Sequence, residues 1–273
     1  MTQDITRVIV PLDAASETDT AIDTAARLAA RWRVPLHGVF IEDDELIGLA
    51  GLPFARQVTL GTGLEPLTKD QVEHHFRAFA EQAGRELAEV AERHEVKWSF
   101  ETVRGPLTPD MLGGEHDFVV AGAASRPIGD HFRIASRSWS WMTVVARPFL
   151  LAKRQWEAGG SVLALLRRQD PKSARALEVA SQIAGFRGGT LTVSASPGLA
   201  GSDDFSALVA RLLGESSLSL QTEPAATEPA ALRQRIIELD CRLLVLEAGE
   251  WDSQPDELRE LVEQLTCDVL IIR

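Results

Sequence analysis

Arg7-Val8-Ile9-Val10-Pro11-Leu12, followed at once by Asp13-Ala14-Ala15-Ser16, is the stretch that decides the fold. A short β-branched run closed by a polar turn reads as a buried strand. Ser16 or Thr18 can cap a following helix, and acidic Glu17 and Asp19 suit its positive end. Ala21, Ile22, Ala25, Leu28 and Ala29 then recur at helical spacing, Pro35 stops the helix, and Leu36 to Ile41 reads as a second strand. Strand, helix and strand in succession predict a parallel sheet with right-handed crossovers.

Downstream, the segment from Glu42 to Glu65 departs from this rhythm. It opens with four acidic residues, then holds the apolar run Leu46 to Phe54 and Gly61-Thr62-Gly63. A connection of this length is usually functional or mobile. Its apolar stretch calls for cover, either as a lid over a ligand or as a contact with a second subunit. Thr68 to His94 then reads as a long amphipathic helix, and strands are expected at Lys97 to Val103, Asp117 to Gly122 and Phe149 to Ala152. Gln155 to Gly160 looks like a linker. After it the pattern restarts, with strands at Ser161 to Leu166, Thr190 to Ser194, Leu218 to Thr222, Leu243 to Leu246 and Val269 to Ile272. Helices fall between them, the first opened by Pro171. Each half reads as five strands with intervening helices, which predicts a duplicated domain, 1–154 and 160–273.

Composition narrows the function. The chain has 273 residues, 45% of them hydrophobic, enough for a substantial core. A net charge of -12 argues against broad attraction to nucleic acid. No uncharged apolar run approaches the roughly 18–20 residues of a bilayer span, and the N-terminus lacks the pattern of a secretory signal. Cys241 and Cys267 are the only cysteines, so neither a disulfide framework nor a four-thiolate metal site is available. A cytoplasmic protein without nucleic-acid or membrane partners is expected.

The opening strand with Pro11-x-Asp13 and an alanine-rich helix resembles the universal stress protein family. The resemblance covers nearly the whole chain. Its more specific part is the turn after the fourth strand, where the family's nucleotide-binding members carry Gly-x2-Gly-x9-Gly-Ser/Thr. Here that spacing gives Gly122-Ala123-Ala124-Ser125, the nine residues Arg126 to Ile134, then Ala135-Ser136. The first glycine and the final serine match; Ser125 and Ala135 replace the two middle glycines. Small residues at a strand-to-helix turn let backbone N–H groups approach phosphate oxygens. Arg126, Arg133, Arg137, Arg147, Lys153 and Arg154, with Asp130 as the one acidic neighbour, form a basic island in an acidic protein.

The resemblance implies a doubly wound α/β fold like that of the adenine nucleotide alpha hydrolases. It would be two parallel five-stranded sheets of order 3-2-1-4-5, packed as a pseudo-dimer through their last strands. It further implies an adenine nucleotide, ATP or a relative with its magnesium, bound in the first half. Asp13 would lie near base or ribose, Val39 would line the base pocket through its backbone, Gly122, Ser125 and Arg126 would surround the phosphates, and Ala135-Ser136 would meet the triphosphate. The second half has no aspartate matching Asp13, and Glu247 to Ser253 is too short and acidic for a phosphate loop; no nucleotide is expected there.

The same residues admit plainer readings. Asp13 can end a strand and cap a helix, Ser136 can be a helix cap, and the arginines can line a solvated face. His74-His75 point about 100° apart on a helix and form no metal pair. Trp139 and Trp141 are expected to pack against the sheet or across the domain interface, with contact between one of them and a base as the alternative. Cys241 and Cys267 begin strands expected to be neighbours and read as buried thiols, with redox or metal use as the alternative. No nucleophile elbow, Walker motif or Cys-x2-Cys occurs, so a regulatory protein rather than an enzyme is expected. Its partner would be a regulatory protein or a second copy. A nucleotide-free interaction module and an ATP-using enzyme of the same broad fold remain the alternatives.

Overall fold

The strand expected at the opening forms as Arg7–Leu12 (β1), and the rest of the architecture grows from its two sides. The computed structural model describes residues 5–14, 18–59, 63–105, 108, 114, 116–123, 142, 145, 147–167, 171–215, 219–224, 229–248 and 255–273. In chain order these hold α1 (Thr18–Trp32), β2 (Leu36–Glu42), α2 (Asp44–Ala50), β3 (Arg56–Thr59), β4 (Gly63–Pro66), α3 (Lys69–Arg93), β5 (Trp98–Arg104), β6 (Asp117–Gly122) and β7 (Phe149–Ala152). There follow β8 (Ser161–Leu166), α4 (Pro171–Arg187), β9 (Thr190–Ala195), α5 (Pro197–Ala200), α6 (Asp203–Glu215), β10 (Ser219–Pro224), α7 (Pro229–Glu238), β11 (Cys241–Glu247), α8 (Pro255–Gln264) and β12 (Asp268–Ile272).

One correction concerns the sheet. Two separate five-stranded sheets were expected, but ten strands join in one, ordered β10-β9-β8-β11-β12-β7-β6-β1-β2-β5. The join is an antiparallel pairing of β7 with β12, Leu150 facing Leu270, while the other pairings in this sheet are parallel. Two open edges of apolar strands would leave rows of N–H and C=O groups unsatisfied; pairing them removes both edges. Antiparallel joining has a consequence for function. The C-terminal ends of β1, β2, β6 and β7 lie at one margin of the sheet, and those of β8, β9, β11 and β12 at the opposite margin.

Alternation along each strand builds a core on both faces. Val8, Val10, Leu12, Phe118, Val120 and their partners meet α1, α3 and α4, whereas Ile9, Val119, Ala121, Leu244 and Ile271 share the other face with α7 and α8. On the first face α1 touches α4 directly. Trp32 donates its indole N–H to Gln182 at 2.8 Å and packs against Phe118 and Phe186.

The described residues of the long connection 42–65 form a helix and a hairpin rather than irregular chain. Asp43 caps α2 by accepting from the N–H groups of Glu45 and Leu46, and β3 and β4 form an antiparallel hairpin. Thr68 and Gln71 form a capping box that starts α3. Ile47 and Ala50 are buried, but Leu49, Leu52, Phe54 and Leu64 stay exposed. Arg104 at the end of β5 donates to Glu42 at 2.9 Å and to Glu73 at 3.1 Å, tying the connection's start to α3. Across the edge of the sheet His37 bridges Ser99 and Glu101, knitting β5 to β2.

The expected linker is also held. Gly159 and Gly160 adopt φ of 77° and 79°, and the Gly159 N–H donates to the carbonyl of Arg187. A β-carbon on Gly189 would stand 2.1 Å from the Gly160 carbonyl oxygen, a backbone atom with no room to retreat. Gly189→Ala is therefore expected to lower stability by about 1–3 kcal/mol, read by chemical denaturation.

Candidate functional site

In an open α/β sheet, ligands gather outside the C-terminal strand ends where the strand order reverses. In the first five strands that place lies between β1 and β6, and Pro11 shapes it. Val8 donates its N–H toward β2, to the Pro35 carbonyl, so Val10 and Leu12 face β2 and Ile9 and Pro11 face β6. Proline has no N–H to give. The pairing of β1 with β6 accordingly ends at Ile9 opposite Val119, whereas its pairing with β2 runs on to Leu12 opposite Phe40. On the far side β6 stays bound to β7 through Gly122 opposite Ala152, and the Ala123 N–H donates to the Ala152 carbonyl at 3.0 Å. The sheet thus parts between β1 and β6 for the last residues of both strands.

Asp13 and Gly122 sit at the two lips of that parting. Continuing the register of Ile9 with Val119 brings Leu12 level with Gly122 and Asp13 level with Ala123. Asp13 is an acidic side chain only 8% exposed. Gly122 is buried and takes no positive φ, so its value lies in the missing side chain rather than in backbone freedom. Val39, level with Pro11 on β2, has its side chain wholly buried in the cluster that holds Ile9, Ile41 and Val119. Ser125, Arg126, Ala135 and Ser136 lie outside the described residues, as do Arg133, Arg137, Trp139 and Trp141.

One member of the basic island has another duty. The Lys153 ammonium donates to the carbonyls of Val262 and Leu265 at the end of α8, and desolvation lowers its pKa. The backbone N–H groups of Lys153 and Arg154 both donate to Asp268. Sequence reasoning grouped Lys153 with the phosphate arginines because position along the chain says nothing about side-chain direction. Pro11 was read only as part of the family's opening pattern; the signal that would have given its role is a proline inside a strand that must be central.

The last five strands differ at the matching place. There β8 and β11 remain paired up to Leu165 opposite Leu246, with no proline to part them. Extending that register sets Glu247 level with Leu166, the position that Gly122 takes beside Leu12. A half-buried carboxylate stands where the first half has a glycine. Among the described residues no cluster of His, Cys, Asp and Glu could hold a metal ion, and His74 and His75 are exposed. No described helix is long and apolar enough to cross a membrane.

No protein-family model matches the chain, and no curated protein matches it in sequence. Solved structures do. A universal stress protein from Archaeoglobus fulgidus superposes with a TM-score of 0.66 at 14% identity, covering 98% of this chain and 96% of that one. The fold is that of universal stress proteins. A putative universal stress protein from Pseudomonas aeruginosa gives a TM-score of 0.62 at 15% identity, with 99% and 94% of the two chains covered. A functionally unknown protein from the same species gives 0.59 at 16%, with 99% and 93% covered. At such identities the universal-stress fold is what is shared, and the site must be argued from this chain's own residues.

Proposed function

We propose that this chain is a universal-stress-type regulatory protein that binds an adenine nucleotide, ATP with its magnesium or a relative, between β1 and β6. The observation that carries this reading is the parting of the two strands after Ile9 and Val119, with Asp13 on one lip and Gly122 on the other. A buried carboxylate at a strand end suits ribose hydroxyls or an amino group, and a glycine lets phosphates come close to the backbone. On this reading Asp13, Gly122 and the backbone of Val39 hold the nucleoside. Ser125, Arg126, Ala135 and Ser136, by their place in the sequence, meet the phosphates. Magnesium would neutralise phosphate charge. The chain consists of two repeats, 1–154 and 160–273; the second binds no nucleotide, because Glu247 repels phosphate, and serves as a structural partner.

Calorimetry with ATP and magnesium on the full chain tests the proposal. One-site binding is expected; no heat and no thermal shift at millimolar nucleotide would end it. The role is regulatory rather than catalytic, so incubation with ATP should give no turnover at enzyme-like rates. The exposed Phe54 and Leu64, 73% and 72% accessible, favour a second reading as a nucleotide-free interaction module whose partner is a regulatory protein or another copy of the chain. Pull-down or sedimentation unaffected by Phe54→Ser and Leu64→Ser would remove it.

A further inference from the structure

We propose that Cys241 and Cys267 form a redox-active dithiol, closing to an intrachain disulfide under hydrogen peroxide. Both are free thiols at the starts of adjacent strands, and the pairing of Leu243 with Asp268 places Cys267 level with Arg242, one residue along from Cys241. Strands about 4.8 Å apart with a stagger of about 3.3 Å put the two α-carbons at about 5.8 Å. Disulfides span roughly 4.4–6.8 Å between α-carbons.

The side chains must also share a face, and a backbone irregularity provides this. In regular alternation Cys241 would point with Leu243 and Val245 to the face that holds α1 and α4. The register of β11 against β8 shifts between Cys241 and Leu243, and Cys241 turns to the opposite face with Leu244 and Leu246. Cys267 lies on that face too, with Val269 and Ile271. A bulge that re-aims one side chain toward another is a directed feature rather than filler. A thiol packed only as a small hydrophobe has no need of it.

The Cys241 thiol donates to the Leu243 carbonyl at 3.2 Å. The neighbouring Cys267 and burial push the Cys241 thiol up, while the neighbouring Cys241 brings Cys267 down. The Lys153 ammonium also favours the Cys267 thiolate, and the Asp268 carboxylate opposes it. Cys267 is fully buried, and Cys241 retains 5% exposure beside the turn at Asp240. On this proposal peroxide reaches the pair from that end of β11.

The chemistry closes on itself. The Cys267 thiolate attacks one peroxide oxygen, the O–O bond breaks, and hydroxide leaves as water with a proton, giving a sulfenic acid at Cys267. The Cys241 sulfur then attacks the Cys267 sulfur, the S–O bond breaks, and a second water departs. Two thiols and one peroxide become one disulfide and two waters. The pair lies at the same margin of the sheet as Gly122, two and three strands away across β7. The inference nevertheless holds whether or not a nucleotide binds.

The test uses the full folded chain without denaturant. After peroxide, remaining thiols are alkylated in urea and the protein is digested with trypsin without reductant. The expected product joins residues 236–242 to 260–273, two hydrogens lighter than the separate peptides, and dithiothreitol separates them. In Cys241→Ala the sulfenic acid at Cys267 should instead persist and be trapped by dimedone. Two fully alkylated cysteines after peroxide, a link between chains rather than within one, or a link that forms only when peroxide is added in urea would each overturn the proposal. The unmutated chain decides the matter, so a poorly folding variant leaves it testable.

Discussion

Replacing Asp268 with alanine is expected to cost about 3–5 kcal/mol of folding stability, read as a fall in the urea midpoint at constant m-value. Asp268 is 1% exposed and accepts from the Lys153 N–H at 2.8 Å, the Arg154 N–H at 3.2 Å and the Arg187 guanidinium at 2.9 Å. Arg187 is itself buried and lies 4.2 Å from the ring of Trp156. Removing the carboxylate leaves that guanidinium charged in a low-dielectric interior, and the penalty comes from the survivor more than from the lost attraction. The double replacement Asp268→Leu with Arg187→Met should accordingly cost clearly less than the two single changes added together. A cost equal to or greater than that sum would show that the two residues are not coupled, and the penalty would not come from a stranded charge.

The pH dependence of this site follows from the direction of its shift. Burial pushes the Asp268 carboxyl above the usual range, outweighing the donors that hold it down. Between the ordinary value and the raised one the folded chain keeps a proton that the unfolded chain has released. By linkage, stability from this group is fully present below the unfolded value and is lost as pH rises through the window. The advantage of the native chain over Asp268→Asn should therefore shrink with rising pH across that window. A growing advantage would reverse the assignment.

Gly122→Val is expected to abolish nucleotide binding while the chain stays folded. Gly122 ends β6, and continuing the register of Ile9 with Val119 sets it level with Leu12, one position short of Asp13. A valine there projects three carbons into the space that phosphates need, whereas β7 still holds the strand from the other side. Asp13→Ala serves as the second variant, since it adds no bulk; removal of a charged partner from a ligand should weaken ATP by tenfold or more, about 1.4 kcal/mol. Calorimetry measures both, with circular dichroism as the control for folding. Unchanged affinity in either folded variant would move the site away from β1 and β6.

Much of this was written in the residues. Val8, Ile9 and Val10 bury on both faces, as a continuous apolar run in a parallel sheet must. Pro171 opens α4, Thr68 caps α3, and Cys241 and Cys267 begin neighbouring strands, each a local signal with a local outcome. Within the segment 42–65, Asp43 caps a helix inside an otherwise loop-like composition, and that helix buries Ile47 and Ala50, which no local pattern announced.

The sequence by itself determined the alternation of strands and helices, and with it a parallel sheet whose first strand ends in Asp13. Periodicity and turn chemistry act within a few residues, so they are legible without coordinates. Only the tertiary structure decided that the ten strands form one sheet, that Lys153 turns to α8, that Asp268 and Arg187 pair in the interior, and that Cys241 shares a face of the sheet with Cys267. Those outcomes depend on which backbone edges and charges meet across tens to more than a hundred residues, and on a one-residue bulge that reverses a side chain. Such long-range pairings are settled by satisfying hydrogen bonds and buried charge throughout the fold, and no local pattern encodes them.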